Sequence, residues 1–210
     1  MRHIYSKSGL AMILSGFGGF HRPDLKREQY LMDGEIGASV LWHAYLIGDI
    51  KGKVIADLGC GTGILGIGAL LLGAKQMFFV DSDARAIKIA QLNISKVNSE
   101  DYHLNKFTFV CLDVSKLKIE VNVVLENPPF GTKSKHADIL FLDKALEISP
   151  IVYSFHKSET LNFLKRYLSK KNVTVTHTWD FKFPLKAAYS FHRRQISRIY
   201  VSCLRIVRTL

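Results

Sequence analysis

From residue 53 onward, short apolar runs alternate with stretches whose apolar positions recur every three or four residues, the pattern of βα units around a mostly parallel sheet. Val54–Leu58 reads as a first strand, followed by a helix over residues 64–72. Residues 77–80 form a second strand ending at Asp81, with a helix over 83–97 behind it. Residues 106–111 alternate as a third strand, and 121–125 form a fourth that runs directly into Asn127. A helix over 136–148, a strand over 151–154 and a helix over 158–168 follow. Two long β-prone stretches, 173–183 and 196–207, close the chain. Their connection has no helix-length apolar pattern, so the return is direct and the pair antiparallel. Residues 1–50 are expected to be an irregular, partly helical lead-in packed on a domain of residues 51–210, with a helix over 34–46 presenting Ile36, Val40 and Leu46.

Composition supports one folded domain. The chain has 210 residues, 48% apolar and 22% charged, enough for a substantial core and too apolar for extended disorder. Cys60, Cys111 and Cys203 form no CxxC pair, so neither a metal site nor a disulfide framework is expected, and a reducing cytoplasm fits best. The longest apolar run, residues 64–74, is about half a membrane span, so no membrane association is expected. Charge adds a partner class. The formal net charge is +11, and residues 131–210 carry 15 Lys and Arg against 5 Asp and Glu. A basic half beside a nearly neutral half is the footprint expected for a polyanion.

Two constellations carry candidate chemistry. The first is Asp57-Leu58-Gly59-Cys60-Gly61-Thr62-Gly63 followed by Ile64, at a strand-to-helix turn where glycines permit a sharp bend and let a ligand approach bare backbone. Asp81, with Ser82 beside it, ends the next strand, where a carboxylate accepts hydrogen bonds from ribose hydroxyls. Asp113-Val114 follows the third strand and faces the adenine end of such a ligand, although an Asp there also suits a simple turn. The loop alone leaves the cofactor open, because Gly61-Thr62-Gly63-Ile64-Leu65-Gly66 also satisfies the dinucleotide pattern GxGxxG. The extra acid at Asp57 is more typical of S-adenosylmethionine, which has an ammonium group and no pyrophosphate.

The second constellation is Asn127-Pro128-Pro129-Phe130, directly after the fourth strand. An exocyclic base amine is a poor nucleophile because its lone pair is delocalised into the ring. The Asn127 side-chain carbonyl and the Pro128 backbone carbonyl can accept both amine hydrogens and hold the nitrogen towards tetrahedral geometry. Pro128 brings no competing N–H, Pro129 stiffens the turn, and Phe130 offers a ring for the base to stack on.

With these residues in view, the sequence resembles the class I S-adenosylmethionine-dependent methyltransferases, and more narrowly the methyltransferase-like protein five family. The resemblance runs from about Leu25 to the C-terminus. It rests on Glu28-Gln29-Tyr30, the loop from Asp57 to Gly63, Asn127-Pro128-Pro129-Phe130-Gly131-Thr132-Lys133, His136-Ala137-Asp138, Tyr153-Ser154-Phe155-His156-Lys157 and Tyr189-Ser190-Phe191-His192-Arg193-Arg194. It implies a Rossmann-like fold with a seven-stranded, mostly parallel sheet and a C-terminal antiparallel hairpin. It also implies transfer of a methyl group to adenine N6 in small-subunit ribosomal RNA. Gln29 and Tyr30, together with Gly59, Thr62, Ile64, Asp81, Asp113 and Val114, would then contact the cofactor, and Asn127 to Phe130 would hold the target adenine. Leu31-Met32 replaces the Pro-Thr common after this motif, which removes a hydroxyl from the cofactor site. The family works with a small zinc-binding activator protein at the edge strand, here the third. Lys133, His156, Lys157, His192, Arg193 and Arg194 are expected to clamp RNA backbone, whereas His136 and His177 are expected to be structural. The same acceptor logic serves a guanine-N2 RNA methyltransferase or a protein-glutamine methyltransferase, and a non-catalytic RNA-binding assembly factor would keep the same fold.

Overall fold

The computed structural model describes residues 3–20, 31–98, 102, 104–130, 137–185 and 197–209. Seven strands form one sheet: β1 (Val54–Leu58), β2 (Gln76–Asp81), β3 (Lys106–Cys111), β4 (Val123–Glu126), β5 (Ile151–Lys157), β6 (Val173–Leu185) and β7 (Ser197–Arg208). Their order is β3-β2-β1-β4-β5-β7-β6. The first five are parallel, and β7 runs antiparallel to both β5 and β6. Period-2 alternation sends successive side chains to opposite faces. In β4, Val123 and Leu125 enter one apolar cluster and Val124 the other. The first cluster takes buried residues from α1 (Lys7–Ser15), α2 (Gly34–Ile47), α3 (Ile64–Leu71) and α4 (Ala84–Asn98). The second takes them from α5 (Ala137–Ile148) and α6 (Leu161–Leu168). The result is a three-layer α/β/α arrangement, as the alternating pattern predicts.

Three of the departures from expectation have a clear local reason. The lead-in contains α1, capped by the Ser6 side chain on the Gly9 N–H and burying Leu10, Ala11 and Leu14. Its nine residues are too few to show a periodic stripe. β4 begins two residues late, because the Val121 N–H donates to the Ile148 carbonyl and the Asn122 side chain accepts from the Val54 N–H. β5 runs three residues further than expected because β7 pairs with it, setting Phe155 against Cys203, His156 against Ser202 and Lys157 against Val201. Among the described residues, no helix is long and apolar enough to cross a membrane.

Candidate active site

Register places the two constellations side by side. Leu58, the last residue of β1, is level with Val80 of β2 and Glu126 of β4. Asp81, Gly59 and Asn127 therefore follow one another across three neighbouring strand ends, and Asp81 and Asn127 lie roughly 10 Å apart by strand spacing. The chain winds outward in opposite directions from β1 and β4, so this is the switch point where open α/β sheets bind ligands.

The loop between β1 and α3 is held from several sides. Gly59, Gly61 and Gly63 have φ of 65°, 54° and 84°, left-handed values that side chains disfavour. A Cβ on Gly59 would stand 2.9 Å from the Phe141 ring of α5. Gly63 is the N-cap of α3 and has no side chain to cap it. The Asp57 carboxylate does so instead, accepting from the Gly66 N–H at 2.9 Å. Asp57 is 1% exposed, and burial pushes its carboxyl up to about 7, opposed by that hydrogen bond. Asp81 accepts from the Gly61 N–H at 2.9 Å and from the Asp83 N–H at 2.8 Å. A carboxylate at this strand end is the acceptor type that ribose hydroxyls require.

These contacts bear on which cofactor fits. A dinucleotide sets its pyrophosphate on the first turn of the helix after β1. Here that turn already holds a carboxylate from the protein. The bare glycine backbone, the acid at the end of β2 and the filled helix terminus fit an adenosyl ligand without phosphate.

The other expected cofactor residues have mixed environments. Thr62, Ile64 and Val114 are buried, and Ser82 is exposed. Asp113 caps the short turn after β3, with Oδ1 accepting from the Ser115 N–H at 2.9 Å and the Ser115 hydroxyl at 2.7 Å, and these bonds hold its carboxyl below the usual range. Met32 is core, 6% exposed and packed by Gly37. Gln29, Tyr30, Lys133, His136, His192, Arg193 and Arg194 lie outside the described residues.

Two loop supports escape sequence reading. Asn93 of α4 donates to the Thr62 carbonyl at 2.9 Å and to the Gly18 carbonyl at 3.0 Å, and accepts from the Gly18 N–H at 2.8 Å. The lead-in is thereby fastened to the glycine loop, where Phe20 would lie 3.6 Å from a Cβ on Gly61. An Asn on a predicted helix carries no sign of such a partner.

At the acceptor motif, the Asn127 Oδ1 is buried and accepts no hydrogen bond among the described residues. Pro128 is buried, Pro129 half-buried, and Phe130 is 9% exposed within the first apolar cluster. Behind them lies a second feature with no sequence signal. The Ser154 hydroxyl sits 2.6 Å from Glu126 Oε1 and 2.7 Å from His156 Nε2, with Asp138 Oδ2 3.8 Å from His156 Nδ1.

This corrects the expected RNA clamp. His156 is 1% exposed and inside the protein, because it faces α5 from the extended end of β5, so it does not reach a phosphate. Lys157 pairs with Glu159 at 3.4 Å. Among the described residues after position 130, five Lys and Arg are engaged within the protein: Lys144 with Glu147, Lys157, Lys171 with Asp143, Arg205 with Asp49, and Arg208 with the carbonyls of Leu146, Glu147 and Ser149. His177 stacks on Trp179 with ring centroids 5.4 Å apart.

Comparison with known proteins agrees with this site. Residues 45–128 match the family model described as ribosomal protein L11 methyltransferase (PrmA), a span covering the glycine loop and ending inside the acceptor motif. A Pyrococcus horikoshii protein provisionally described as an RNA methyltransferase shares the fold with a TM-score of 0.88 and 40% identity, over 99% of this chain and 100% of that one. An uncharacterized protein of Methanocaldococcus jannaschii is 36% identical over 97% of this chain and 94% of its own length. The rRNA N(6)-adenosine-methyltransferase METTL5 of Danio rerio is 32% identical over 95% of this chain and 98% of its own. At that identity over nearly the full length of both, the chain belongs to the METTL5 family of class I methyltransferases.

Proposed function

We propose that this protein uses S-adenosylmethionine to methylate the N6 amine of an adenosine in small-subunit ribosomal RNA. The observation that carries the reading is the buried Asn127 Oδ1 beside the glycine loop, which has no partner among the described residues. A buried acceptor left without a donor costs about 1–3 kcal/mol, and an exocyclic amine supplies the missing hydrogen. The names of the METTL5 relatives support adenosine N6 in rRNA as the target.

The backbone of Gly59, Gly61, Thr62 and Gly63, with Ile64, Asp81, Ser82, Asp113 and Val114, would hold the cofactor, and Gln29 and Tyr30 are the further contacts that the family resemblance implies. Asp57 acts one step behind, by holding the first turn of α3. The cofactor supplies an electrophilic methyl group on a sulfonium. Asn127 and the Pro128 carbonyl take the two amine hydrogens, which turns the nitrogen lone pair out of conjugation, and Phe130 bounds the base. The alkylated amine is acidic enough to release its proton to water. Lys133, His192, Arg193 and Arg194 are the remaining candidates for RNA backbone. A small zinc-binding activator would dock along β3, the outermost strand, whose side chains alternate between exposed and half-buried through most of its length.

The test is Asn127→Ala, assayed by nucleoside mass spectrometry of rRNA incubated with the protein and S-adenosylmethionine. Transfer should fall by about 100- to 1000-fold while cofactor affinity stays within about twofold. Wild-type turnover in the variant would refute the mechanism. A product of N2-methylguanosine would replace the substrate, and cofactor binding by the wild type without turnover of rRNA would favour an assembly factor.

A further inference from the structure

The acceptor segment follows directly on a polar chain of groups that is buried through most of its length. Glu126 immediately precedes Asn127, and Asp138 lies in the first turn of α5. Ser154 and His156, two residues apart on β5, bridge them. Glu126 and Ser154 are 0% exposed and His156 1%. Among the described residues, Glu126 Oε2 and His156 Nδ1 have no hydrogen-bond partner.

A single hydroxyl hydrogen cannot serve both neighbours of Ser154. In one arrangement Ser154 donates to Glu126 Oε1 and accepts from His156 Nε2–H. In the other, Glu126 is protonated and donates to Ser154, which donates to His156 Nε2, leaving Nδ1–H towards Asp138. With a proton on both His156 nitrogens in the first arrangement, the two hold the same number of protons. They interconvert when the proton on Glu126 Oε1 moves to Ser154 Oγ as the Ser154 proton moves to His156 Nε2. Net charge does not change, and the Asp138 carboxylate balances an imidazolium in the first arrangement.

We propose that Glu126, Ser154, His156 and Asp138 form a proton-sharing clamp that positions Asn127 for methyl transfer. The clamp rests on the acceptor role assigned to Asn127, and its members are positioning residues that do not touch the substrate. With the shared proton in place, one negative charge resides on the chain. Without it, two carboxylates face a neutral imidazole, and Asn127 loses the anchor that Glu126 provides beside it. Among the described residues, the other groups at this point are the Cys203 thiol of β7, and the Ser202 hydroxyl held by Asp180 at 2.5 Å and Ser158 at 2.7 Å. None of them supplies a compensating positive charge. Burial pushes the Glu126 carboxyl up to about 8, opposed by the Ser154 hydroxyl. For Asp138, partial burial acts upward, but His156 and the backbone N–H groups of its helix end hold the carboxyl below its usual range. The ionised form of Asp138 is therefore kept while Glu126 holds the proton.

The test is the pH dependence of kcat for rRNA methylation by the full chain, compared with Glu126→Gln and Ser154→Ala. Wild-type kcat should fall as pH rises through about 8. Glu126→Gln has no proton to lose, so its kcat should be lower than wild type at neutral pH and flat across that interval. Ser154→Ala should lower kcat by about tenfold or more with the KM for S-adenosylmethionine unchanged. In wild-type protein labelled with 15N-histidine, the His156 ring nitrogens should shift over the interval in which kcat falls. An alkaline limb retained in Glu126→Gln, wild-type kcat in Ser154→Ala, or His156 resonances constant through the limb would overturn the clamp. Absence of adenosine methylation by the wild type would instead overturn the function assigned to Asn127, and the histidine resonances would still decide whether the proton is shared.

Discussion

Replacing Asn93 with Ala would separate the lead-in from the cofactor loop while leaving every expected cofactor and acceptor residue in place. Asn93 is 1% exposed and makes three hydrogen bonds, one to Thr62 and two to Gly18. Each contributes about 0.5–1.5 kcal/mol net, and a buried backbone group left without its partner costs more. The substitution should therefore destabilise the fold by about 3 kcal/mol. At this chain length that is a fall of roughly 6–12 °C in Tm. The functional effect follows from which groups are released. The Thr62 carbonyl belongs to the loop whose backbone meets the ligand, and Gly18 leads directly to Phe20 beside Gly61. Cofactor affinity should fall about tenfold, equivalent to about 1.4 kcal/mol of lost organisation. Asn93→Asp sharpens the test. It can still accept from the Gly18 N–H, but it turns a carboxylate oxygen towards two carbonyls where an amide had donated, so it should be more damaging than Ala. Titration calorimetry with S-adenosylmethionine and thermal unfolding measure the two effects. An Asn93→Ala protein with Tm within about 2 °C and cofactor Kd within about twofold of wild type would refute the coupling.

Two further outcomes follow from buried charge. Asp49 accepts from the Tyr153 hydroxyl at 2.6 Å and Arg205 Nε at 2.7 Å. Asp49→Ala leaves a nearly buried guanidinium without its carboxylate and should cost about 3–5 kcal/mol in urea unfolding, against about 1 kcal/mol for Tyr153→Phe. Asp57 is a carboxyl whose folded-state pKa lies above its unfolded value, 3.8 against about 7. Its contribution is complete below pH 4 and is lost as pH rises towards 7, by up to about 4 kcal/mol. Asp57→Asn should flatten that part of the urea-stability profile between pH 4.5 and 8, and an unchanged slope would refute the assignment.

The parts legible in the sequence share a physical character. β1 and β3 are found to the residue because a short apolar run and a period-2 alternation are both local signals. The glycine loop and Asn127 are visible because a turn with positive φ and a proline-stiffened acceptor each need particular residue types at fixed spacing. Features that depend on contacts distant in sequence are not legible. Asn93 reaches Gly18 across 75 positions, Arg205 reaches Asp49 across 156, and Ser154 reaches Glu126 across 28. His156 was misread for the same reason. Beside Lys157 it looks like part of a basic surface, and only the pairing of β5 with β7 carries it into the interior.

The same distinction changes the meaning of the basic C-terminal half. A sum over sequence counts Arg205 and Arg208 as available to a polyanion, yet one closes a buried ion pair and the other holds the carbonyls at the end of α5. Lys171 is likewise held between Asp143 and the Tyr167 ring, its ammonium 4.8 Å from the ring centroid. Those charges stabilise the sheet and its helices, so neutralising them should reduce stability before it reduces RNA affinity. Phosphate contacts in any case carry orientation and not sequence. On the proposed reading, choice of the atom to be methylated rests on hydrogen-bond polarity at the strand ends, where Asn127 presents an acceptor that only a donor can satisfy. A substrate lacking an amine leaves that oxygen buried and unpaired, and the resulting penalty of about 1–3 kcal/mol is a source of selectivity that surface charge cannot provide.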